Sequence, residues 1–96
     1  MALEAMHEPV DELSPKTRDM HRAIASLIEE LEAVAWYQQR AEACTDGALK
    51  AILAHNRDEE IEHASMTLEW IRRRNPVFDR ELPDALFKDG PITGQH

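Results

Sequence analysis

Three side chains in this sequence have the types and the spacing to grip a divalent cation: Glu30, Glu60 and His63. Glu60 and His63 stand three residues apart, so on a helix they project the same way from successive turns. On a wheel of about 100° per residue they fall, with Asn56 and Thr67, inside an apolar stripe of Leu49, Ile52, Leu53, Ala64, Trp70 and Ile71. A carboxylate in an apolar seam is costly unless it is paired or binds a metal. One reading is a glutamate–histidine pair that satisfies itself in the core; the other is a pair of ligands. Glu30 favours the second. It borders the stripe of the preceding segment, formed by Ile24, Leu27, Ile28, Leu31, Val34 and Ala35, with Tyr37 two turns further along the same edge. The run Glu59-Glu60-Ile61-Glu62-His63 is not a zinc-protease motif, because the first histidine of His-Glu-x-x-His is missing.

The elements that must position these residues are helices. Ser14-Pro15 is a helix start, with serine as cap and proline at the first helical position. Nothing breaks that helix before about Cys44. Thr45-Asp46-Gly47 reads as a tight connection, with Asp46 capping a second helix from about Ala48 to Arg74. Asn75-Pro76 ends it, because the residue before a proline is pushed out of the helical region. A short turn between two long helices implies an antiparallel hairpin. Val77 to Lys88 is expected to hold one or two weak helical turns interrupted by Pro83, and Gly90-Pro91 to lead into a mobile tail. No alternating strand pattern is present. The expected fold is all-α, divided into a flexible segment 1–13, a helical hairpin 14–75 carrying the ligands, and a short helix with tail 76–96.

Folded this way, one chain supplies one glutamate from the first helix and Glu-x-x-His from the second. Ferritin-like di-metal carboxylate bundles contain that set twice, with four glutamates and two histidines. A two-fold dimer would supply the missing half, giving a four-helix bundle with two metal ions at the interface. Mixed oxygen and nitrogen ligands with open positions suit redox iron, and also accept Mn(II) or Zn(II). Clustered glutamates repel one another, and two divalent ions would neutralise them.

Composition narrows the function further. The chain has 96 residues, one small domain's worth, so self-association is expected on size alone. The 19 acidic residues outnumber the 11 basic ones, giving a formal net charge of -8. Nucleic acid and anionic lipid both need a basic counter-surface, so neither is an expected partner. No apolar run approaches the ~20 residues needed to span a bilayer. The single cysteine, Cys44, forbids an intrachain disulfide and fits a reducing, cytosolic setting. Glu29, Glu32 and Trp36 share the opposite side of the first helix. They form either a solvated charged face or a second contact whose acids attract cations. His55, beside the seam, is assigned structural hydrogen bonding, and Arg72-Arg73-Arg74 complement the helix dipole.

Longer motifs then carry a resemblance. Met-His-Arg-Ala-Ile (Met20 to Ile24), Glu-Glu-Leu-Glu-Ala-Val-Ala-Trp-Tyr (Glu29 to Tyr37) and Ile-Leu-Ala-His-Asn-Arg-Asp-Glu-Glu (Ile52 to Glu60) are similar to the encapsulated ferritins. So are Glu62-His63, Met-Thr-Leu-Glu-Trp-Ile-Arg-Arg (Met66 to Arg73) and Gly-Pro-Ile-Thr (Gly90 to Thr93). The resemblance covers roughly His7 to Thr93. It implies a ring of five dimers with a ferroxidase centre between paired chains. Glu30, Glu60 and His63 carry over as iron ligands, Tyr37 and Trp36 as their neighbours, and Glu29 and Glu32 as the acidic site where metal ions come in. It also implies an encapsulin shell protein as partner and a place inside an encapsulin nanocompartment, where the oxidised iron is stored. Two positions depart from the family pattern. An acid commonly precedes Trp-Tyr, where this sequence has Ala35, and a shell-docking C-terminal peptide is usual, where this sequence ends at His96. The competing expectation is a non-catalytic helical dimer that binds divalent metal or uses its Glu–His pairs to fix register.

Overall fold

The computed structural model describes residues 6–94. After a 3-10 turn at Val10–Glu12 come helix α1 (Pro15–Ala43), helix α2 (Gly47–Arg74) and helix α3 (Pro76–Ala85). Among the described residues there is no strand, as the all-α reading expected. Each helix begins on a side chain that accepts an otherwise orphaned backbone N–H. Ser14 Oγ accepts from Thr17 at 3.1 Å and Asp46 from Leu49 at 2.8 Å. Both caps stand where the sequence placed them.

The short third helix expected after Asn75 is present, and only its continuity differs from expectation. Instead of weak turns broken at Pro83, Pro76–Ala85 is one ten-residue helix with Pro83 inside it. Asn75 explains the strength of its start. Its Oδ1 accepts from the N–H groups of both Val77 and Phe78, at 2.9 and 3.0 Å, and Pro76 then presets the first helical φ. Pro83 falls in the last turn, where it deletes one ladder bond and not a run of them. Asn75 also closes α2, its own N–H donating to Ile71 O at 3.0 Å. Beyond Leu86 the chain turns through Phe87 with φ 59°, the left-handed position that commonly follows a helix end.

Segment 1–13, expected to be flexible, is partly tied down: Arg18 Nε donates to Val10 O at 2.9 Å and holds the 3-10 turn to α1. Residues 1–5 of that segment, and Gln95 and His96 of the expected tail, lie outside the described residues.

Helices α1 and α2 lie against each other as the hairpin, in a body only 19 Å thick and 50 Å long. That thickness is about two helix diameters. A layer this thin has almost no inside. Among the described residues only Ala41, Ala64 and Ile71 are buried. Leu49 and Ile52, placed by periodicity in the seam, are 48% and 56% exposed. The wheel ranked them by face, but a hairpin gives each helix one neighbour, and the apolar arc is wider than one neighbour covers. No helix of the described residues is long and apolar enough to cross a membrane.

Candidate metal centre

Two polar rungs fix the register of the hairpin. Arg57 Nη1 donates to Gln38 Oε1 at 2.9 Å, and Thr67 Oγ1 donates to Glu30 Oε1 at 2.9 Å. The chain runs antiparallel between them, so Glu60 and His63 on α2 lie between the rungs. The register puts Tyr37 level with Glu60, and Glu30 about one turn beyond His63.

Glu60 and His63 meet as a loose ion-pair contact with no hydrogen bond. His63 Nδ1 is 3.6 Å from Glu60 Oε2, too far for a hydrogen bond. Their side chains are 26% and 47% exposed for Glu60 and His63 respectively. A core pair that satisfies itself would be buried and hydrogen-bonded, whereas this one is part-exposed and joined only by the long ion-pair contact. Glu30, half-buried, is held to α2 through the Thr67 hydroxyl, which also reaches Glu30 Oε2 at 3.3 Å and His63 O at 3.1 Å. Among the described residues, no group of three or more His, Cys, Asp or Glu side chains is gathered closely enough to hold one ion. The chain thus brings Glu30 to the neighbouring turn of α2, while its three donors do not close on a common point. The donor types fit iron, two hard carboxylates and one borderline imidazole, in a set that is incomplete by itself.

The other residues singled out by sequence stand apart from Glu60 and His63 or border them. Trp36 is 53% exposed, and the Arg40 guanidinium sits 5.3 Å from the centroid of the Tyr37 ring. Glu29 is exposed and Glu32 half-buried on the outer side of α1. His55 Nε2 lies 3.4 Å from Glu59 Oε1 on the surface, a local pairing away from Glu60 and His63.

Sequence reasoning missed the ionic clasp at the far end of α2. Arg72 donates twice to Glu69, at 2.8 and 2.6 Å, and reaches across Asn75 to Asp79 on α3. Arg73 adds a third bond to Glu69 at 2.6 Å. The bonds from Arg72 and then Arg73 pull the Glu69 carboxyl down from its ordinary 4.5 to about 2. The bonds to Glu69 and then Asp79 push the Arg72 guanidinium upward. A dipole role alone was assigned to these arginines; the i, i+3 spacing of Glu69 and Arg72 was the signal that could have found the clasp.

Comparison with known proteins agrees with this architecture. A crystal structure of protein NE0167 from Nitrosomonas europaea superposes with a TM-score of 0.90 at 65% identity, covering 95% of this chain and 100% of that one. An encapsulated ferritin-like protein of Rhodospirillum rubrum is 59% identical over 87 residues, 91% of this chain and 62% of the relative. A ferritin-like protein of Thermotoga maritima is 58% identical over 91% of this chain and 76% of its own length. The encapsulin nanocompartment cargo protein EncC of Myxococcus xanthus is 37% identical over 78% of this chain and 58% of its own. The chain thus spans about three-fifths of the first of these relatives. The family model described as EncFtn-like matches residues 5–89, the whole stretch that holds the hairpin and α3. With that match and these identities, the chain belongs to the EncFtn-like family.

Proposed function

We propose that two copies of this chain meet along the open face of the hairpin and that Glu30, Glu60 and His63 of each copy together hold two iron ions, at which Fe(II) is oxidised by dioxygen. The observation that carries this is the looseness of the Glu60–His63 pair, an ion-pair contact with no hydrogen bond. Two good ligands stand 3.6 Å apart on an uncovered helix face, with a third donor secured at the next turn. Doubling the set by a two-fold axis gives the four glutamates and two histidines of a di-iron bundle. The carboxylates neutralise the ions and stabilise Fe(III) over Fe(II), because the harder, more charged ion gains more from oxygen ligands. The two Fe(II) ions give up one electron each, and one dioxygen takes both with two solvent protons to leave as hydrogen peroxide.

Exposed surface supports self-association. A folded monomer of 11.0 kDa exposes about 5600 Å², and this chain exposes 7430 Å². The surplus, roughly 1800 Å², exceeds the ~800 Å² that one partner covers in a standard contact. The names of the Rhodospirillum and Myxococcus relatives support a role as encapsulin cargo, so we place the chain in the cytoplasm, inside an encapsulin nanocompartment that stores the oxidised iron. Glu29 and Glu32 then serve as the acidic site that attracts incoming ions.

Fe(II) added without oxygen and then exposed to air tests the reaction. Ferric absorbance should rise faster with the protein than without it, and Glu60→Ala or His63→Ala should remove most of the gain. Equal rates with and without protein would end the proposal.

A further inference from the structure

We propose that Thr67 is a positioning residue for the metal centre: its hydroxyl fixes the Glu30 carboxylate at the height where the shared site needs it. The inference rests on the ligand assignment above, and it concerns a residue that is not itself a ligand. Thr67 Oγ1 lies 2.9 Å from Glu30 Oε1, 3.3 Å from Glu30 Oε2 and 3.1 Å from His63 O. A helical threonine usually spends its one proton on the carbonyl four residues back, which here is His63 O. In this chain the nearest acceptor is instead a carboxylate 37 residues away on the other helix.

Three consequences follow for Glu30. Its side chain has rotatable freedom that an isolated glutamate would keep, and the hydroxyl removes part of it. The donor is itself stiff, because a β-branched side chain has few χ1 wells in a helix. Thr67 is one turn from His63, so the bond ties a ligand of α1 to the turn of α2 that carries the imidazole. An ionised carboxylate has about four lone-pair sites, and accepting one hydrogen leaves the others able to take a cation. The hydroxyl therefore orients Glu30 without consuming it.

Co(II), which fills such sites without being oxidised by air at the same rate and reports its ligands in the visible spectrum, is the probe. Metal titration of the full chain and its variants, followed by the Co(II) spectrum, should show Thr67→Val binding about tenfold more weakly, with shifted bands. Thr67→Ser, which keeps the hydroxyl, should restore both, and the helical circular dichroism of all metal-free proteins should agree. Should the valine variant lose helicity, Thr67→Ala carries the same test. A valine or alanine variant with the affinity and spectrum of the parent overturns the proposal, as does a serine variant no better than valine. Glu60→Ala separates the ligand set from the role of Thr67. If it loses the Co(II) spectrum while Thr67→Val keeps it, the ligands stand and Thr67 falls; if Glu60→Ala also binds like the parent, both fall.

Discussion

Helix α2 carries two acid–base pairs at the same spacing, and they behave in opposite ways. Glu69 and Arg72 are three residues apart and joined by two bonds of 2.6 and 2.8 Å. Glu60 and His63 are also three residues apart, yet meet only at 3.6 Å, with no hydrogen bond between them. Reach and fork shape separate them. A guanidinium offers five N–H donors on a long stem and can take both carboxylate oxygens at once, whereas an imidazole is short and meets one atom at a time. Availability follows. Arginine has no lone pair to give a cation, so the Glu69 pair is closed to metals as well as satisfied. A neutral histidine keeps a lone pair, and its glutamate keeps its oxygens. The last turns of the helix use their charges to hold structure, and its middle leaves a pair only loosely joined.

The severest way to break this contrast is to convert one pair into the other. His63→Arg should let residue 63 clasp Glu60 as Arg72 clasps Glu69. Titration should then show metal affinity lowered more than about 100-fold, beyond what loss of an outer partner causes, with helicity retained. Retained affinity would mean that Glu60 and His63 are not the ligands. A gentler test works from the other end. Arg72→Ala should speed amide hydrogen exchange severalfold across Val77–Ala85 while leaving Co(II) binding unchanged, since the clasp serves α3 and not the hairpin face. A parallel loss of metal affinity would show that the clasp and the hairpin face act as one unit. The smallest effect is expected from acid. Because the folded Glu69 carboxyl sits near 2 against an ordinary 4.5, its stabilising contribution is whole above 4.5 and fades as pH falls from there to about 2. Side-chain NMR of the folded protein should place its midpoint near 2; a midpoint at 4.5 would mean the clasp is open in solution.

What the sequence made legible was local. Ser14 and Asp46 announce helix starts through side chains that bond three residues ahead, and Glu60 and His63 reveal a shared face by spacing alone. Range limited the rest. The bond from Thr67 to Glu30 spans 37 residues and exists only in the register that Arg57 and Gln38 also mark, which no wheel of one helix contains. Burial was misjudged for a related reason. Leu49 and Ile52 share a stripe with the ligands, yet a single hairpin has nothing to lay over them. At α3 two local signals competed, and the double bond from Asn75 outweighed the disruption by Pro83.

Asn75 has one more implication. It finishes α2 and starts α3 with no spacer between, so the bearing of the short helix is set by one dihedral pair, φ -129° and ψ 113°. A joint with no slack tolerates replacement of its neighbours far better than addition to them. One inserted residue would swing α3 by about 100° around its own axis and pull Asp79 away from Arg72. In this stretch of the chain, length is a stricter constraint than composition.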